Sequence, residues 1–258
     1  MANASPNQME FTAEPIPFFI KSIIAGLCML IYVPAPAQLT DLLKYVISNF
    51  RFADGTTASY VGTEEALKQP LIGVTGSIWA QILLPRFFDS ALLSLIIGLA
   101  VGLAQAYFVY QLLKVIFPNI VTNHGSRLNF AASQEEYLAW LLVILGAGVI
   151  PSLFLLILPF GLLLGVLMSL VSLVFTFVLR GIALSLYCKW FASKVQGGSR
   201  IPSFQADPFT YVAMMMGFLL FCCLIVTIPW AVIWFTKWLA SRTSLPARPD
   251  TTATNFAF

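Results

Sequence analysis

Between Glu136 and Arg180 no position is charged. At about 1.5 Å of helix rise per residue, that stretch is long enough to cross a hydrocarbon core of about 30 Å twice. Pro151, and Pro159 with Gly161, are the natural places for a bend within it. Further uncharged runs separate Lys21 from Asp41, Lys68 from Arg86, Asp89 from Lys114 and Asp207 from Lys237. Strands of a membrane β-barrel are about 10 residues long and alternate in polarity, which these runs do not. The pattern predicts an all-α polytopic membrane protein with about 4 to 6 transmembrane helices. Phe18 to Tyr32 reads as the first span. The amphipathic segment Gln38 to Ser48 suits the membrane interface.

The polar junctions between these runs read as extended. Residues Asn49 to Gly62 contain Asp54-Gly55, a good hairpin turn between two short strands. Gly125 to Phe130, Ser199 to Phe204 and Asn255 to Phe258 are similar strand candidates, all ending in Phe. Their common endings suggest that the junctions meet in a small β layer on one membrane face. Sharing a face requires each intervening unit to cross an even number of times or to include an interfacial helix.

Self-similarity organises the chain further. Phe11-Thr12-Ala13-Glu14-Pro15 recurs as Phe204-Gln205-Ala206-Asp207-Pro208, and the same offset matches Pro36 to Pro229 and Lys44 to Lys237. Lys189 to Lys194 resembles Lys237 to Arg242, and Gly125-Ser126-Arg127 resembles Gly198-Ser199-Arg200. Such internal matches point to a duplicated module. The expected units are residues 1–59, 60–129, 130–203 and 204–258, together forming one membrane domain built from repeated units.

Composition narrows the class. Of 258 residues, 59% are hydrophobic and 10% charged, against roughly 25% charged in a soluble domain. The net charge of +3 is spread along the chain, which excludes a nucleic-acid footprint. Cys28, Cys188, Cys222 and Cys223 lack zinc or redox spacing and read as packing residues.

The ends of the hydrophobic runs have a common chemistry. Glu14 before Pro15 and Asp207 before Pro208 suit helix starts, where the carboxylate faces the positive helix end and proline gives up an N–H that would be unpaired. Glu135 and Glu136 serve similarly. Lys44, Lys114, Lys189 and Lys237 close hydrophobic runs and complement helix C-termini. Lys189, Trp190, Trp230, Trp234, Lys237 and Trp238 read as membrane-interface anchors, with the three later tryptophans at spacing i, i+4, i+8. Positive charge places the junctions at 189–200 and 237–248 in the cytoplasm.

Phe18-Phe19, the helix ending in Ile31-Tyr32, the proline turn into a short helix, and Asn49 with the strand Phe52 to Tyr60 carry a family likeness. So does Ile228-Pro229-Trp230 followed by Lys237-Trp238 and Arg242-Thr243. These elements resemble the YjgN-type bacterial inner-membrane proteins, a domain family of unknown function. The chain departs from the pattern where Ala37 follows Pro36, and its first short helix has fewer basic residues. The resemblance implies a multi-pass location in the bacterial inner membrane and supplies no activity.

Catalytic chemistry leaves little trace. The single His124 cannot build a two-His metal site, and no nucleophile elbow or phosphate-cradling loop occurs. The expectation is no enzyme, no cofactor and no metal. Gly98/Gly102 and Gly161/Gly165 read as close helix-packing pairs. Arg86 and Asp89 form either a gating pair or a helix-start ion pair. Two functions follow: a structural, scaffolding or accessory subunit of a membrane assembly, or a channel or permease for a small or apolar solute. The expected partners are the lipid bilayer and other membrane proteins or a second copy of the chain.

Overall fold

The computed structural model describes residues 8–52, 54–88, 90–157, 162–197, 201–223 and 227–244. Four times along the chain, a short strand is followed by two helices and a second strand. The first segment holds β1 (Met9–Phe11), α1 (Pro15–Ile31), α2 (Ala35–Ser48) and β2 (Phe50–Phe52). The second holds β3 (Ala58–Tyr60), α3 (Glu64–Leu83), a 3-10 turn over Leu84–Phe87, α4 (Ala91–Ile116) and β4 (Ile120–Thr122). The third holds β5 (Leu128–Phe130), α5 (Gln134–Ile157), α6 (Leu162–Lys194) and β6 (Val195–Gly197). The fourth holds β7 (Ser203–Phe204), α7 (Pro208–Cys222), α8 (Ile228–Ser241) and β8 (Thr243–Ser244).

Within each segment the two strands pair antiparallel, so each helical hairpin returns to the level at which it began. Single bridges then tie neighbouring segments: Arg51 to Thr57, Val121 to Arg127, and Ser244 back to Gln8. The last of these joins the final segment to the first. The short strands therefore form a ring, whose remaining junction, β6 to β7, runs through residues 198–200, outside the described residues. Below the ring the helices follow chain order, each packing on the next, and α8 returns against α1.

The local sequence explains each entry into a helix. An aromatic residue ends the opening strand and is buried in every segment: Phe11, Tyr60, Phe130 and Phe204. Two residues later stands a small residue, Ala13, Gly62, Ala132 or Ala206, also buried. A Cβ added at Gly62 would strike the Tyr60 ring, so this turn admits glycine, while the other three hold alanine. The intervening N–H closes the segment, donating to the carbonyl just before the final strand. These bonds are Thr12 to Asn49, Val61 to Asn119, Ala131 to Lys194 and Gln205 to Arg242, at 2.8–2.9 Å.

The helix starts differ in how they are capped. Asp207 accepts from the backbone N–H groups of Phe209 and Thr210 at 3.0 and 2.9 Å. Ser133 and Glu136 form a reciprocal capping box, at 3.2 and 3.3 Å. Glu14 makes no such side-chain bond to its helix.

Several expectations need correction. The Asp54-Gly55 turn forms, with Gly55 at φ 80°, yet β2 and β3 share one bridge and take their full ladders from β1 and β4. Pro151 lies inside α5 rather than between two helices, and a proline inside a helix bends it at most as a kink when the helix continues. Pro159, Gly161, Ser199 and the proposed strand Asn255 to Phe258 lie outside the described residues. Gly98 faces open space and Gly102 meets only Gln81 at 3.9 Å, so this pair does not admit a neighbouring helix. Close approach happens instead at Gly73, filled by the Phe108 ring, and at Gly181, against Val212.

Eight helices dominate the described residues. Two helical stretches are long and apolar enough to cross a membrane, Ile96–Asn119, which runs from α4 into a 3-10 turn, and Leu167–Lys194 within α6, while α1 and α7 are shorter apolar helices.

Candidate functional site

The strand ring has two chemically distinct faces, as the period-2 alternation of a strand requires. Glu10 stands opposite Arg51, Ser59 opposite Val121, and Asn129 opposite Gln196. These positions form the outer face, where Glu10, Arg51, Ser59 and Asn129 are exposed. The alternate pairs turn inward: Met9 with Phe52, Ala58 with Thr122, and Leu128 with Gly197. They enclose a cavity of about 830 Å³ that continues into the helical layer.

Its walls come from all four segments. Ile47, Leu113, Phe117, Phe191 and Leu239 line it just under the ring, while Val109 and Tyr187 mark its deeper end. Val109 and Tyr187 each lie eight residues from the ring-side residues Phe117 and Val195, a depth of about 12 Å. Among the described residues, no Asp, Glu, Lys or Arg contributes to the lining. Polar groups gather where the hairpin turns meet the ring: Thr56, Thr122, His124 and Ser126.

The mouth is held together by its turns. Asn123 crosses to the neighbouring turn, its N–H donating to the Thr57 carbonyl at 3.0 Å and its side-chain amide to the Gly55 carbonyl at 3.2 Å. Thr122 donates its hydroxyl to the Ser126 carbonyl and accepts from the Ser126 N–H, both at 3.2 Å. Thr56 differs: its hydroxyl is buried at 4% residue exposure and has no hydrogen-bond partner among the described residues. A buried hydroxyl without a partner costs on the order of 1–3 kcal/mol.

Beside the cavity, Phe130 is fully buried within rings of Phe117, Tyr110, Tyr137, Trp190 and Phe191, with centroids at 5.1–6.4 Å. Lys114 donates to the Phe130 carbonyl at 2.6 Å and lies over the Tyr110 ring. The second segment is thereby fastened to the third. Glu136 and Lys194 pair at 2.9 Å, joining the start of α5 to the end of α6.

The residues singled out from sequence do not gather here. Arg86 is exposed on the turn after α3 and lines no part of the cavity, and Asp89 lies outside the described residues. Trp190 is packed among Trp140, Tyr187 and Tyr137 rather than free at a surface. Trp230 and Trp234 are exposed, whereas Trp238 turns inward against Tyr211 and Phe235. Eight residues of helix rotate by about 80° relative to whole turns, so the three indoles form a drifting stripe on one face, of which the last packs against α7 at Tyr211. Lys189 is half-buried and Lys237 exposed. Sequence reasoning missed the cavity residues. Only the alternation within strands of three residues marked them, a signal too short to stand out.

Among the described residues, no group of three or more His, Cys, Asp or Glu side chains is placed to hold a metal ion. No family model, curated protein or solved structure matches the chain.

Proposed function

We propose that this chain is a multi-pass inner-membrane protein, built by duplication of a strand–helix–helix–strand unit, that binds an apolar or weakly polar small molecule. The binding role is non-enzymatic and of carrier or permease type. The observation that carries it is the cavity of about 830 Å³, walled by all four segments, with no carboxylate, lysine or arginine among the described residues of its lining. Its size falls in the range of about 300–1,000 Å³ usual for small-molecule sites. An uncharged polar end would meet His124 and Ser126 at the mouth, with the apolar part lying toward Val109 and Tyr187. Lys44, Arg51, Lys114, Arg127, Lys189, Lys194, Lys237 and Arg242 all lie on or near the ring, which favours a cytoplasmic ring by the positive-inside rule.

A scaffolding subunit is the second reading, favoured by the exposed polar outer face of the ring at Glu10, Arg51, Ser59 and Asn129. Native mass analysis of the protein in gentle detergent separates the two. Binding predicts a retained small-molecule mass that Ala58→Phe and Ala192→Phe, which fill the cavity, remove. Ser126→Ala should weaken retention several-fold. An empty cavity together with a reproducible protein partner would replace the binding reading by the scaffold.

A further inference from the structure

We infer that the α1–α2 and α7–α8 hairpins are re-entrant, entering the bilayer from the ring face and turning back near its midplane, while the other two hairpins cross it. The inference rests on the membrane reading above and concerns how two of the four segments meet lipid.

The first hairpin carries its own depth gauge. Residues 69–85 of the second segment are uncharged, bounded by Lys68 at one end and Arg86 at the other. The end of α1 is fixed against the middle of that run. Thr75 donates its hydroxyl to the Met29 carbonyl at 2.8 Å, and Trp79 donates its indole N–H to the Leu30 carbonyl at 2.8 Å. Thr75 lies seven residues, about 10 Å, from Lys68, and Trp79 lies seven residues from Arg86. The hairpin tip is therefore level with the centre of the stretch that α3 would place in hydrocarbon.

Charge agrees with that depth. Lys21 and Asp41 form an ion pair across the first hairpin. Counting back from Met29, Lys21 falls level with Lys68, so the pair and Lys68 would share one interface plane. From Lys21 to Ile31 is ten residues, about 15 Å, or half of a 30 Å core. Beyond the pair the tip has no charge, and Ile31 and Val33 are 68% and 81% exposed. An aqueous loop would have no use for such a tip.

The hydrogen bonds supply an independent argument. The last carbonyls of a helix have no partner within it, and in water the solvent satisfies them. In hydrocarbon they need protein donors. Thr75 and Trp79 provide two for α1. In the fourth segment, Thr227 donates to the Phe221 carbonyl in the same way.

The fourth hairpin reaches a similar level. Val212 packs on Gly181, next to the exposed Arg180. Cys222, ten residues further along α7, is then level with Val171, midway between Arg180 and the start of α6 at Leu162.

Labelling with a membrane-impermeant maleimide in sealed vesicles of both orientations tests this, with the four native cysteines replaced by alanine. Phe87→Cys should react from one side only and Asn129→Cys from the other. Val33→Cys should react from neither side, and fully once detergent dissolves the bilayer. Reaction of Val33→Cys from the Phe87 side would mean a crossing hairpin, and from the Asn129 side a surface one. Failure to react in detergent would bury the tip in protein. Each of these overturns the inference. Loss of sidedness at Phe87 and Asn129 would instead remove the membrane reading on which it rests.

Discussion

Trp79 donates its indole N–H to the carbonyl of Leu30 at 2.8 Å, joining the middle of α3 to the end of α1. Removing the donor strands a helix-terminal carbonyl. Trp79→Phe and Thr75→Val should each lower stability by about 1 kcal/mol, the usual scale of such bonds between helices in lipid. Thermal unfolding in detergent reads this out. An unchanged midpoint in both variants would mean that solvent or lipid headgroups already reach the end of α1.

Phe130 holds the interface between the second and third segments. It is fully buried, and five other aromatic rings surround it. Phe130→Ala should cost about 3–5 kcal/mol, as expected for deleting a buried phenylalanine. Phe87→Ala, at a position 75% exposed, should leave the melting temperature unchanged. The comparison separates lost packing from a general effect of removing aromatic rings.

Asp207 contributes a pH dependence of known sign. The hydrogen bond from the Thr210 side chain, followed by those from the backbone N–H groups of Thr210 and Phe209, holds its carboxyl below the ordinary aspartate range. Its stabilising effect is therefore present above the unfolded-state value of about 3.9 and is lost as pH falls through the lower folded-state value. Between pH 5 and 8 this group should add no slope to the stability profile. Asp207→Asn should flatten the acid limb of the melting curve below about pH 4, while an unaltered acid limb would show that other carboxylates govern it.

Ser244 lies opposite Gln8 in the bridge that closes the ring. Facing antiparallel positions are close enough for a disulfide. In a background free of native cysteines, Gln8→Cys with Ser244→Cys should cross-link under mild oxidation and change mobility on a non-reducing gel. Gln8→Cys with Asn129→Cys should not. Equal cross-linking of both pairs would contradict the order of strands around the ring.

Charge and capping chemistry make the helices legible in the sequence itself. The hydrophobic runs that close at Lys44, Lys114, Lys189 and Lys237 place the helices, and Asp207 before Pro208 marks a start that the hydrogen bonds reproduce. The Asp54-Gly55 turn is equally readable, because a positive φ is a local demand that glycine meets. These are properties of a few adjacent residues or of helix-length periodicity, and the sequence alone determined them.

Tertiary structure decided the strand partners, the ring and the cavity. The Asp54-Gly55 turn implies a hairpin, yet β2 finds its ladder with β1, some 40 residues earlier, and β3 with β4, some 60 later. Strands of two or three residues carry too little alternation to name their partners. Their pairing is fixed by where each helical hairpin returns its ends. The inward side chains of those strands, and the unpaired hydroxyl of Thr56 beside them, acquire a shared cavity only once Ser244 has come back to Gln8.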